Sequence, residues 1–370
     1  MCRRSPPPPG RIGAAAVDDD AAVLTTYFRE RHHADGGPPS GALIDLYERR
    51  AIAAGVLLRG IERYSLGRPP ASEHAIPRSD DPPLTAVAVD IRPRIEAVLD
   101  EMAGLNLTPL MALEHARLLS GDIEPLRLGE SSPTATRLTL FCGHADRVYL
   151  VPAFEAACEL LYRRGVAGAT VLSGIDGTLG GRRRRAPFLR HGGDAPLMVV
   201  AVGSGERIGT LLPELGALFR HPLMTVAAVR LCKRDGQLVS RPEVVTAADA
   251  TTAPAGMEPR IRLTLYVSEA ARHDGQPVHN AIVRRLRSAG LGWVTSHRGI
   301  WGFQGEHAPH GDHFRPNGRH VPVVTTVIDT PERIAIAFDV IDSLTPDRGL
   351  VTAETVLAPQ PSAISSDHLQ

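Results

Sequence analysis

Lysine is nearly missing from this sequence: Lys233 is the only one, and arginine carries the rest of the positive charge. A bias spread over the whole chain reflects coding composition and separates no class of function. Net charge is missing too, because 41 basic and 41 acidic residues cancel, which removes any global attraction to nucleic acid or an anionic membrane. No run approaches the roughly 18 apolar residues that a membrane-crossing helix needs. The opening MCRRSPPPPG has basic residues but no apolar stretch behind them, so no secretion signal is expected and the expected location is cytoplasmic. Cysteine is sparse, and Cys2, Cys142, Cys158 and Cys232 form no C-x-x-C pair, which argues for free thiols over a disulfide framework or a zinc site. The phosphate loop G-x-x-x-x-G-K-[ST], the nucleophile elbow G-x-S-x-G and the metal pair H-E-x-x-H are all absent. With no activated nucleophile and no acid–base pair at a shared place, no enzyme is expected.

What is present is a repeat. The chain has 370 residues, 43% of them hydrophobic and 22% charged, enough for two or three globular domains. A strand-like run appears as Leu24-Thr25-Thr26-Tyr27, as Leu138-Thr139-Leu140-Phe141 and as Leu263-Thr264-Leu265-Tyr266. Gly60-Ile61, Gly174-Ile175 and Gly299-Ile300 follow at one fixed separation. Pro83, Pro196 and Pro322 each open an apolar run, with Ile95, Ile208 and Ile334 again at a constant distance. Such preserved spacing marks internal repetition. Between the first two strand signals, Leu43/Ala157/Ile282, Ile44/Cys158/Val283 and Tyr47/Leu161/Leu286 are apolar in every copy, which is one buried helical face and places Cys158 in a core. A second helix follows Asp90, Ser204 and Thr330, residue types that cap helix N-termini.

Each copy therefore reads strand, helix, strand, loop, strand, helix, strand, the βαββαβ order of the ferredoxin-like split motif. The expected fold is α+β, with repeats over residues 23–120, 137–235 and 260–358. Residues 1–22 and 359–370 read as tails and 121–136 and 236–259 as linkers, on their content of proline, glycine and small residues.

At the second strand the copies read IAAGVLLRGI, VAGATVLSGI and LGWVTSHRGI. With its surroundings, RRGVAGATVLSGIDG, the second copy resembles a bacterial family of unknown function described as PII-like. The resemblance covers all three copies. It implies tandem PII-like units packed as an intramolecular pseudo-trimer in a monomeric chain, small ligands such as nucleotides in the clefts between units, and signalling through the loops between strands two and three. The implied partner is a regulated protein, with a membrane transporter or channel as one class. No nucleic acid is expected. The Gly-rich, Lys-bearing loop of PII proper is not matched by GLNLTP, GALFRHP or SLTPDRG, so a nucleotide is a candidate ligand only and no cofactor is assigned.

The residues themselves mark the second strand's end as the candidate ligand site. Arg59, Ser173 and Arg298 occupy one repeat position beside Gly60, Gly174 and Gly299, and Gly67, Gly177, Gly180, Gly302 and Gly305 follow. Glycine-rich turns offer backbone N–H groups to an anion, and arginine can bind phosphate or carboxylate in a fork. The alternative is that the glycines serve backbone geometry alone. In the second copy's loop, Arg182, Arg183, Arg184 and Arg185 suit an acidic partner or plain solvation; no aromatic platform accompanies them for RNA. In the third copy's loop, His307, His310 and His313 are low-ranking metal candidates without a known ligand spacing. Gly203-Ser204-Gly205-Glu206-Arg207-Ile208-Gly209 imitates a dinucleotide loop, but the other copies read DIRPRIE and DTPERIA there. The function expected is a regulatory protein binding a small anionic ligand between repeats. A metal-handling or structural adaptor with no nucleotide site, and an amino-acid-sensing array, are the other readings.

Overall fold

The computed structural model describes residues 16–29, 38–65, 71–72, 83–102, 104–105, 109–129, 132–185, 194–243, 254, 256–311 and 321–359. The first repeat comprises β1 (Ala16–Arg29), α1 (Pro39–Arg49), β2 (Ala54–Arg59), β3 (Glu62–Ser65), β4 (Ala71–Ser72), β5 (Pro83–Ile91), α2 (Arg92–Met102) and β6 (Leu110–Ser120). The second comprises β7 (Thr134–Gly143), β8 (Arg147–Val148), β9 (Val151–Pro152), α3 (Ala153–Arg163), β10 (Gly168–Leu179), β11 (Arg182–Arg185), β12 (Pro196–Gly203), α4 (Gly205–Gly216), β13 (Leu223–Arg234) and β14 (Gln237–Leu238). The third comprises β15 (Met257–Ser268), β16 (Arg272–His273), β17 (Gln276–Pro277), α5 (Val278–Ser288), β18 (Trp293–Arg298), β19 (Trp301–Gln304), β20 (His310–Gly311), β21 (Pro322–Asp329), α6 (Pro331–Leu344) and β22 (Leu350–Pro359).

The strands do not stop at the repeat boundaries. Eighteen of them form one sheet. Within each repeat the pairing is antiparallel: β2 with β5, β5 with β1 and β1 with β6 in the first, and correspondingly in the others. Between repeats, β10 pairs with β2, β13 with both β6 and β22, and β22 touches β6. The path β1-β5-β2-β10-β12-β7-β13-β22-β6 returns to β1, a closed nine-strand antiparallel barrel. The rest of the third repeat continues from β22, pairing through β18 with β3 and through β19 with β10.

This corrects the expected α+β arrangement of three ferredoxin-like βαββαβ units in a pseudo-trimer. Such a unit is an open sheet with two edges of its own, whereas here the edges are joined into a continuous, predominantly β barrel that carries six short helices among the described residues. The physical reason is that an unpaired edge presents a row of free N–H and C=O groups, and closure satisfies them.

Both sheet faces are buried, which explains why the central strands read as unbroken apolar runs instead of alternating ones. On β12, Leu197, Val199 and Ala201 face α3 and α4, while Met198, Val200 and Val202 face an interior shared with residues such as Val56, Tyr266 and Val324. The helices lie outside, and the expected helical face is there: Leu43, Ile44 and Tyr47, Ala157, Cys158 and Leu161, and Ile282 and Leu286 are fully buried. Burial pushes the Cys158 thiol far up. No helix among the described residues is long and apolar enough to cross a membrane.

Helix starts follow two designs. Ser204 caps α4 through the Arg207 N–H at 3.4 Å. In the other two repeats an aspartate ties the helix start to strand two: Asp90 accepts from the N–H groups of Ile91 and Ala53, and Asp329 from those of Thr330 and Gly292. Thr330 itself makes no side-chain cap.

The dinucleotide-like glycines have a packing explanation. Residues 121–129 run across α4, and a Cβ on Gly205 or Gly209 would overlap the carbonyls of Gly129 and Leu126. Pro213 lies inside α4 and has no N–H to give the Gly209 carbonyl. The Leu126 N–H supplies the missing bond at 3.1 Å. The segment read from sequence as a linker is thus part of the helix's hydrogen bonding. Gly209→Ala is expected to push residues 121–129 off α4 and to lower unfolding stability by about 1–3 kcal/mol. Urea denaturation measures the loss, and amide exchange at Leu126 should accelerate with it.

Candidate functional site

Three junctions join the repeats at the ends of their second strands, and each is built from the same parts. Pairing of the second strand with the third stops just before a glycine, the hairpin beyond it pairs with the second strand of the neighbouring repeat, and the hairpin lies over that neighbour's first helix. So β10 and β11 of the second repeat lie on β2 and α1 of the first. Strand β19 of the third lies on β10 and α3 of the second, and β3 of the first lies on β18 and α5 of the third. The loops between strands two and three leave from these places.

The predicted ligand residues gather here, with most of their backbone donors engaged inside the chain. The Gly60 N–H donates to Pro83 O at 2.9 Å and that of Gly299 to Pro322 O at 2.7 Å. Gly180 donates to Ala53 O at 2.8 Å and Gly305 to Ala167 O at 2.9 Å, each across a junction. The Gly177 N–H is held by Asp176 Oδ1 at 2.8 Å. A Cβ at Gly177 would overlap Gly55 O, and one at Gly302 would overlap Ala169 O. Close approach of a neighbouring backbone therefore accounts for glycine at these positions. Gly67 lies outside the described residues.

The side chains are what differ between junctions. Arg59 ends β2 and is exposed. Arg298, mostly buried, forks onto Glu269, with both Nε and Nη2 at 2.9 Å from Oε1; Glu269 Oε2 is buried with no partner among the described residues. In the second repeat Ser173 stands at that position, and the place of Glu269 is taken by His144, whose ring lies 6.0 Å from that of Phe154. Burial, then Arg147, pushes His144 below its ordinary value. Glu30, His144 and Glu269 each lie six residues after Leu24, Leu138 and Leu263, so the Arg–Glu pair of the third repeat has a Ser–His counterpart in the second. That matched exchange was readable from the repeat alignment, and single-position reading misses it.

The arginine run is partly occupied. Residues Arg182–Arg185 form β11, paired with the end of β10. Arg183 forks onto the buried Asp176, with Nε at 3.1 Å from Oδ1, and reaches Asp45 on α1. Its backbone N–H meets Glu48 of the same helix at 3.3 Å. Arg184 binds both oxygens of Asp194 at 2.8 and 2.7 Å. Arg182 and Arg185 are the exposed members, and Arg185 lies 3.6 Å from Asp176. Asp45 and Glu48 went unnoticed in the sequence because nothing local links a helix of one repeat to a hairpin of the next.

His307 follows β19 and His310 opens β20, its Nδ1 facing Ala308 O at 2.8 Å; His313 lies outside the described residues. Among the described residues no three His, Cys, Asp or Glu side chains converge as metal ligands.

Beside Arg298 sits a group that sequence reading passed over. His297 is buried between repeats, its Nε2 3.0 Å from the Thr85 hydroxyl of the first repeat. Burial pushes it down from an ordinary 6.5 to about 4. The unfolded chain therefore takes up this proton first as pH falls, so the neutral ring's contribution is complete above about 6.5 and is lost toward and through pH 4. Chemical denaturation from pH 7 to 4 is expected to cost the natural protein about 2–3 kcal/mol more than His297→Gln. Parallel curves for the two proteins would contradict it.

A family model described as DUF190, uncharacterized ACR, matches the chain three times, over residues 21–118, 135–231 and 260–358.

Proposed function

Because the chain belongs to the DUF190 family in three tandem copies, we propose that it is a non-catalytic regulatory protein, PII-like in its mode of action, that takes a small anionic ligand at the junctions between repeats. The observation that carries this reading is the convergence at each junction of two repeats and a hairpin root, with an arginine at the second strand's end in two of the three. A ligand seated there touches the end of one second strand, the backbone of the next and the start of the loop between strands two and three. Its binding energy can then bias loop conformation and so partner affinity.

Arg59 and Arg298 supply the charge. Arg298 is preoriented by Glu269, which holds the guanidinium fork but also competes for it, so an incoming anion must offer at least a second charged oxygen. With the glycine amides largely engaged, side chains and not a backbone cradle provide the selectivity. Phosphate-bearing ligands, nucleotides first among them, fit that requirement. The second repeat's Ser173 and His144 make its junction chemically distinct, so the three sites are not equivalent. The regulated protein is met through the loops, with the exposed Arg182 and Arg185 as contacts for an acidic surface on a transporter, channel or other target.

Thermal unfolding of the full chain with adenine nucleotides, cyclic nucleotides and inorganic phosphate tests this, because a ligand bound by the folded state alone raises the midpoint. The expected result is a shift of a few °C at about 100-fold excess over Kd, or near 2.7 kcal/mol. It should be abolished in Arg59→Ala/Arg298→Ala and retained in Ser173→Ala. A flat response to every anion would overturn the reading and leave a structural adaptor.

A further inference from the structure

At the heart of the molecule the repeats meet through buried charge. Glu114 on β6, Arg137 on β7, and Arg262 and Glu354 on β15 and β22 lie together with side-chain exposures of 5 to 11%. Arg137 Nη2 donates to Glu114 Oε2 at 2.6 Å, and Nη1 to Glu354. Arg262 Nε donates to Glu354 Oε1 at 2.8 Å, and Nη2 to Glu114. Each carboxylate thus meets both guanidiniums, and the cluster is neutral.

The repeat alignment shows how this set is distributed among the copies. Arg137 and Arg262 immediately precede Leu138 and Leu263, and the first repeat has Val23 there; Glu114 and Glu354 correspond to Ala227 in the second. Val23 faces Glu114 across the strand pair, Arg137 faces Ala227, and Arg262 faces Glu354. The first repeat therefore brings only acid, the second only base, and the third both. Val23 and Ala227 pack in the same apolar interior cluster. Three copies of the first repeat would bury three carboxylates with no cation, and three of the second would bury three guanidiniums with no anion. Uncompensated buried charge is strongly unfavourable.

A second layer diverges in the same matched way. His297 corresponds to Leu58 and Leu172, and Thr85 to Met198 and Val324. Four of these six residues lie in the apolar interior, and the two polar ones hydrogen-bond to each other across the junction between repeats three and one.

We infer that these matched substitutions are the recognition code by which one copy of each repeat, and not several copies of the same repeat, assemble around the barrel interior. The interior face of repeat one fits an arginine-bearing face, that of repeat two fits a glutamate-bearing face, and repeat three fits both. This assignment does not depend on any ligand at the junctions.

The test uses the full chain and two double-mutant cycles read by thermal midpoint. Glu114→Gln and Arg137→Gln singly each leave one charge in excess and should lower the midpoint by about 5 °C or more. The double variant, neutral again, should lose clearly less than the two losses added. In the second cycle Val23→Arg or Ala227→Glu alone adds an unpaired charge, and the two together complete a third pair and should recover at least half of the summed loss. Strict additivity in the first cycle would overturn the inference even if the inserted charges of the second prevent folding.

Discussion

Closure of strand edges between repeats is the constraint on which the rest of the structure depends. Four strands pair antiparallel within each repeat, and such a sheet in isolation would leave two rows of backbone groups to water or to other chains. Here the second strand of one repeat pairs with the hairpin of the next, and the last strands β6, β13 and β22 pair with one another. Continuous pairing demands close backbone approach, and that in turn fixes glycine at 177 and 302. It also forces the inner face of the sheet out of solvent, so a repeat without its neighbours would expose that apolar face.

Polar groups inside such a barrel are tolerated only when matched. Burial pushes the Glu114 carboxyl up, but Arg137 and then Arg262 outweigh it and hold it near 2. The tyrosines at the fourth place of the repeated Leu-Thr motif, Tyr27 and Tyr266, are pushed up to about 12, chiefly by burial. Lys233, the single lysine, is buried as well, its Nζ bound to the Asp342 side chain at the end of α6. In that position it ties the last strand of repeat two to a helix of repeat three, with the cation near the negative end of the helix dipole. Glu114, Arg137, Arg262, Glu354 and Lys233 place their charges at contacts between repeats, where they tie unlike copies together.

Gene fusion of like units allows their junctions to diverge, and the divergence here is chemical as well as sequential. One junction carries Arg298 with Glu269, another Ser173 with His144 in the equivalent places, and a third Arg59 at an exposed strand end. A symmetric assembly of identical units could not hold three different surfaces.

The sequence by itself determined the triplication, the register of the motifs, the buried helical faces and the place where repeats change chemistry, because these are properties of spacing and periodicity along one chain. It also placed Cys158 in the core and rejected the dinucleotide reading of residues 203–209. Only the tertiary structure decided that the strands form a single closed barrel, since a strand's apolar pattern says that its faces are buried and not which edge lies beside it. It decided as well that Gly177 and Gly302 serve backbone contact, that Arg183 answers Asp45, and that Glu114, Arg137, Arg262 and Glu354 belong together. Those partners are distant in the chain and come from different copies, and pairing across such distances is set by packing in three dimensions, which no local pattern encodes.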